Sequence, residues 1–143
     1  MILMLPWKIL RSICSMNIIL DTNAFLWLIG NQAKLSRKAA TTIADKQNTF
    51  FLSVASPWEM AIKSQSGKLV LPEPIEPLIS RETALNNIEV LPVSLDAISL
   101  VETLPSIHRD PFDRIIIATA LTQNFAVMSS DAVFDDYNVS RIW

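Results

Sequence analysis

"NIILDTNAFLW", Asn17 to Trp27, decides the fold. The apolar run from Met16 to Leu20 reads as a buried strand. A second apolar run, Asn23 to Ile29, reads as a short helix, with Gly30 just past its end in the left-handed position that closes helices. Asp21 stands at the seam. A carboxylate there can cap the helix, and it also lies beyond the carboxyl end of a strand, where open α/β sheets bind their ligands.

Outward from this unit the same alternation continues. Ser36 caps a helix running to about Lys46, and Thr49 to Leu52 forms a second strand. Ser53 to Gln65 is helical, with Val54, Ala55, Trp58, Ala61 and Ile62 as one apolar stripe and Gly67 closing the helix. The proline-rich "LVLPEPIEP", Leu69 to Pro77, is a connection rather than a domain linker, because patterning resumes at once. A helix around Leu78 to Asn86, a strand around Glu89 to Val93 and a helix from Ser94 to Leu104 follow. Pro111 to Asn124 is a strong helix, apolar almost all round and so buried on several sides. Phe125 to Met128 and Val139 to Trp143 supply the last strands. Strands alternating with helices predict a mostly parallel sheet covered on both faces.

A chain of 143 residues, half of them hydrophobic and 18% charged, suits one domain with a real core. The net charge of −2 gives no broad basic surface, so any attraction for nucleic acid must be local or carried by metal ions. Cys14 and His108 are the single cysteine and histidine, which excludes an internal disulfide, a thiolate zinc site and a multi-histidine site. The opening "MILMLPWKILRSICS" has its positive charges inside the apolar stretch, the wrong order for a signal peptide, and is too short and interrupted to span a bilayer. The expectation is a cytoplasmic chain without membrane attachment. Residues 1–15 are then a non-native or disordered extension and 16–143 a single domain starting naturally at Met16; a genuine appendage is the alternative.

Acids recur at the ends of these elements. Asp21 follows the first strand and Asp131 the fourth, so both face one crevice if those strands are neighbours. In "HRDPFDR", Asp110 and Asp113 are three residues apart at a helix start. Glu59 lies in "SVASPWEMAIKS". Each acid has a structural alternative: Asp110, Asp21 and Asp131 as caps, Asp113 as a first-turn acid favoured by the helix dipole, and Glu59 in a capping box with Ser56 or paired with Lys63. Their combination is what points to function. Converging carboxylates in an apolar domain repel one another, and a divalent cation removes that penalty. Oxygen donors without cysteine or several histidines suit Mg²⁺ or Mn²⁺, ions that support phosphodiester or phosphate-ester hydrolysis.

These stretches resemble the PIN-domain family, and within it the VapC-type toxins of bacterial toxin–antitoxin pairs. "LDTNAFLW", "SVASPWEMAIKSQSGKL", "LPSIHRDPFDRIIIATAL" and "VMSSDAVFDDY" with the terminal Trp143 are similar to the family's motifs, in order, over Met16 to Trp143. The resemblance implies an α/β/α sandwich and a Mg²⁺- or Mn²⁺-dependent endoribonuclease held in check by a cognate antitoxin. It implies that Asp21, Glu59, Asp113 and Asp131 are the catalytic, metal-holding acids, with Asp110 in the same motif. Thr22 and Asn23 complete the first motif, the Thr22 hydroxyl steadying Asp21 or a water. Pro57 departs from the pattern and puts the position of Glu59 in question. Lys63, Arg109 and Arg114 are candidates for the RNA backbone, Arg114 being better placed to orient a carboxylate and Lys63 equally a salt-bridge partner. His108 is expected to be structural. Trp27 and Trp58 are expected in the core or in a homodimer interface. The competing readings are a DNA nuclease, a phosphatase (disfavoured because "DTN" lacks a second acid), a phosphorylation receiver domain and a non-catalytic PIN-like module.

Overall fold

The structure, a computed structural model, describes residues 15–143. The expected N-terminal extension, 1–15, therefore lies outside the described residues save for Ser15. In chain order the elements are β1 (Asn17–Leu20), α1 (Thr22–Gly30), α2 (Arg37–Ala44), β2 (Thr49–Ser53), α3 (Ala55–Gln65) and α4 (Ile75–Leu85). They continue with β3 (Ile88–Leu91), α5 (Leu95–Thr103), α6 (Pro111–Gln123), β4 (Ala126–Met128) and β5 (Arg141–Ile142). Short 3₁₀ helices lie at Gln32–Lys34 and Ala132–Tyr137.

The strands form one five-stranded sheet in the order β3-β2-β1-β4-β5, every pairing parallel. β1 is central, with β2 on one side and β4 on the other. Because side chains alternate along a strand, β1 feeds both faces. Ile18 and Leu20 join Phe25, Leu52, Met60 and Leu78 in one apolar cluster, whereas Ile19 joins Phe51, Ile116, Ile117 and Phe134 in the other. Helices α1 to α4 thus cover one face, and α5, α6 and the second 3₁₀ helix the other. That is the expected three-layer α/β/α architecture. No helix among the described residues is long and apolar enough to cross a membrane.

Most boundaries fall within two residues of the sequence expectation, α4 excepted, and the caps explain several. Ser36 accepts a hydrogen bond from the Ala39 N–H at 3.0 Å, and Ser94 from Ala97 at 3.1 Å. Gly67 closes α3 at φ 78°, with the Lys68 N–H donating to the Lys63 carbonyl at 2.9 Å. Gly30 differs: it lies inside α1, and Asn31 ends that helix at φ −156°. Helix α4 begins at Ile75, three residues before Leu78, since Pro74 can precede a first turn at no cost in hydrogen bonds.

Helix α3 departs most from expectation. It starts at Ala55, so Pro57 occupies a first-turn position whose N–H has no helical partner in any case. The proline removes no helical hydrogen bond, and Glu59 lies on the buried face. The large members of the apolar stripe face solvent, Val54 being 44% exposed, Trp58 64% and Ile62 44%, and only Ala55 of the stripe is buried. The inward face carries Ala55, Ser56, Glu59 and Met60. Its polar members are the reason the periodicity misleads.

Helix α6 ends on Asn124 at φ 58°, left-handed, with the Phe125 N–H returning to the Ala120 carbonyl at 2.9 Å. Asn124→Gly should leave stability unchanged or slightly raised. Asn124→Val should cost about 1–2 kcal/mol in urea unfolding, because a β-branched side chain clashes in this conformation.

Candidate active site

β1 and β4 are hydrogen-bonded neighbours, so Asp21 and Asp131 leave the sheet at the same edge. Asp21 is 5% exposed and caps α1, its Oδ1 accepting the Ala24 N–H at 2.7 Å. The buried Ser129 hydroxyl donates to Asp21, and the Ser129 Oγ accepts the Asp131 N–H at 3.0 Å. Ser129 therefore ties the two acids together. Asp131 in turn accepts the Val133 N–H at 3.0 Å, and Asp110 caps α6 by accepting the Phe112 N–H at 2.9 Å. The cap readings and the convergence hold together.

Glu59 is 4% exposed and makes no capping box. Ser56 is itself buried inside the helix, 3.0 Å from the Thr22 hydroxyl. Thr22 donates to Glu59 Oε1 at 2.7 Å, and Lys63 pairs with Oε2 at 2.5 Å. A hydroxyl has a single proton, so Ser56 must donate to Thr22 while Thr22 donates to Glu59. Thr22 thus steadies Glu59, not Asp21 as expected. The pairing with Glu59 holds the Lys63 ammonium above its ordinary range.

Oxygens of Glu59, Asp110 and Asp113 lie within 4.8 Å of one another, as do donor atoms of His108, Asp113 and Asp131. Asp113 is common to both groups. Its carboxyl is pushed up to about 8, first by burial, then by the charges of Asp110, Asp21, Glu59 and Asp131. Burial also raises Asp21, opposed by the hydrogen bonds from Ser129 and Ala24. All five acids therefore share one electrostatic field. The donors suit a hard divalent cation, which would relieve the repulsion.

The sequence matches the PIN-domain family model over residues 18–139. The chain belongs to the PIN-domain family. No curated protein matches it in sequence. Among solved structures, VapBC2 from Rickettsia felis bound to a promoter DNA fragment has a similar fold at 14% identity and TM-score 0.66, over 88% of this chain and 97% of that one. DNA-bound VapBC from Salmonella typhimurium matches at 16% identity and TM-score 0.65, over 88% and 96%. VapBC-1 from nontypeable Haemophilus influenzae matches at 18% identity and TM-score 0.60, over 88% and 96%.

Other residues of this PIN domain are placed partly as the sequence suggests and partly not. Arg114 orients no carboxylate. Its guanidinium donates to the carbonyls of Pro105, Leu104, Val101 and His108 at 2.8–3.3 Å and contacts the Tyr137 hydroxyl, pinning the loop before α6. Tyr137, not singled out from sequence, supports that loop too, its hydroxyl donating to Pro105 and accepting the N–H groups of Ile107 and His108. Asn23 is exposed and lines a groove with Trp27 and Lys34, apart from the acids. Arg109 is exposed beside Asp110. Trp58 is no core residue; its ring meets Phe112 edge-on at 5.1 Å. Trp27 packs on Trp143 with ring centroids 5.6 Å apart.

The raised Asp113 carboxyl has a thermodynamic consequence. The folded chain keeps this proton up to about pH 8, whereas the unfolded chain loses it near 3.8. Between these values the folded state binds more protons, so stability falls as pH rises. In chelator, the melting temperature should fall between about pH 5 and pH 8.5 through this group. Asp113→Asn should flatten that fall and raise the melting temperature at the upper pH, as thermal denaturation at both pH values would show.

Proposed function

We propose that this chain is the nuclease of a toxin–antitoxin pair, a Mg²⁺- or Mn²⁺-dependent endoribonuclease acting in the cytoplasm. The observation that carries this reading is the convergence of acids at one sheet edge, with oxygens of Glu59, Asp110 and Asp113 within 4.8 Å of one another, where burial and the neighbouring carboxylates raise the Asp113 carboxyl and favour its proton. A bound divalent ion would take that proton's place. Support also comes from family membership, since PIN domains are generally nucleases, and from the similar folds in VapBC toxin–antitoxin complexes.

Asp21, Glu59, Asp113 and Asp131, with Asp110 beside them, are the residues assigned to hold the ion. When bound, it supplies an activated water and offsets charge on the attacked phosphate. The protein's own contribution is placement. Thr22 and Ser56 fix the Glu59 carboxylate, and Ser129 fixes Asp21 relative to Asp131. Lys63, with a side chain 44% exposed, balances Glu59 and lies within reach of an incoming phosphate. Arg109 guides the RNA backbone without reading its sequence.

Cleavage of mixed RNA and single-stranded DNA by the purified chain tests the assignment. RNA should be cut in Mg²⁺ or Mn²⁺ and spared in chelator. Asp21→Asn should lower the rate by at least about 100-fold, on the scale of removing an essential catalytic group, while the fold persists. A folded Asp21→Asn protein of full metal-dependent activity would refute the site. Cleavage of DNA alone would replace the substrate.

The homodimer is assigned to the outward stripe of α3, where Val54, Trp58 and Ile62 lie exposed along successive turns. Trp58→Glu should shift the chain from dimer to monomer in light scattering without unfolding it. An unchanged mass would move the interface elsewhere.

A further inference from the structure

His108 is the one imidazole of the chain, and it stands against the acids. Its side chain is 13% exposed. Nε2 lies 2.9 Å from Asp113 Oδ2 and 3.3 Å from Asp131 Oδ2, in ion-pair range of both and in a well-aligned hydrogen bond to neither. The ring is fixed from every other side. Nδ1 accepts the Asp110 N–H at 3.1 Å. The backbone N–H donates to the Tyr137 hydroxyl at 2.5 Å, the carbonyl accepts from Arg114 at 3.3 Å, and the ring meets Phe134 edge-on at 5.9 Å.

Two roles fit a histidine between two candidate ligands: a metal ligand itself, or a donor that holds the carboxylates. The partner on Nδ1 decides between them. A neutral imidazole carries one N–H, and the nitrogen that accepts a hydrogen bond is the one without it. Nδ1 accepts from Asp110, so the proton is on Nε2. A metal ligand at Nε2 would need that proton moved to Nδ1, where it would face the Asp110 N–H, donor against donor. Nε2–H instead points into the gap between an acid at the start of α6 and an acid beyond β4.

We propose that His108 is a positioning residue, whose Nε2–H, set between Asp113 Oδ2 and Asp131 Oδ2, offsets the repulsion of the two carboxylates and so keeps their spacing, and that it does not ligate the metal. The inference rests on the metal-dependent reading above. It predicts a loss that ignores the ion's chemistry. A donor that sets carboxylate spacing affects Mg²⁺ and Mn²⁺ alike, whereas an imidazole ligand favours Mn²⁺ over Mg²⁺.

The test is Mn²⁺ binding, followed by the paramagnetic signal of the free ion, with Mg²⁺ measured by competition. His108→Ala should weaken both ions by the same factor, about 10-fold or more, as loss of a supporting group beside ligating carboxylates does. His108→Gln, whose amide nitrogen reaches near the Nε2 position, should bind both within about 3-fold of wild type, well inside that loss. It carries the test alone if the alanine variant does not fold. Unchanged affinity in folded His108→Ala overturns the proposal. So does a glutamine variant that loses Mn²⁺ selectively, which would make the imidazole a ligand. A wild-type chain that binds neither ion overturns the metal-dependent reading itself and this inference with it.

Discussion

Everything at the site follows from crowding like charges where the sheet ends. Asp21, Glu59, Asp110, Asp113 and Asp131 come from four different segments, yet the other four each raise the cost of ionising Asp113. Such a cluster survives folding only if each carboxylate is anchored by something other than its neighbours. The anchors are local and inexpensive. Backbone N–H groups at the starts of α1, α6 and the second 3₁₀ helix hold Asp21, Asp110 and Asp131. Helix N-termini have such donors in surplus, so the fold meets its own capping need while it assembles the site.

The parallel sheet makes this possible. With β1 central and β4 beside it, two strands release their following loops at one edge. Helices α3 and α6 then approach the same place, α3 contributing Glu59 and α6 Asp113. Their other surfaces differ in consequence. Helix α6 is enclosed, with Ile116, Ile117 and Ala118 fully buried. Helix α3 gives its inward face to polar groups and so leaves Val54, Trp58 and Ile62 outside.

The sequence carried the architecture and the acids, because both are written in residue types with fixed spacing. The strand–acid–helix seam at Asp21 and the pair Asp110 and Asp113 were legible for that reason. The supporting contacts were not. Arg114 binds backbone carbonyls, which carry no mark in a sequence. Ser129 and Ser56 are small hydroxyls indistinguishable from ordinary loop and helix residues until their partners are known. Hydrophobic periodicity placed α3 backwards, since it assumes that the apolar face is the buried one. Gly30 reads as a helix stop, but an exposed glycine is tolerated within a helix when an asparagine ends it one residue later.

The anchoring of the acids also limits how they can grip anything. Asp21, Asp110 and Asp131 each have Oδ1 engaged by a backbone N–H, and Glu59 has one oxygen on Thr22 and the other on Lys63. In the three aspartates a backbone N–H thus fixes one oxygen and the plane of the carboxylate, and Asp131 Oδ2 also lies 3.3 Å from His108 Nε2. The same hydrogen bonds that cap the helices thus set the carboxylates before anything binds, so little rotamer freedom remains to be lost when they are engaged.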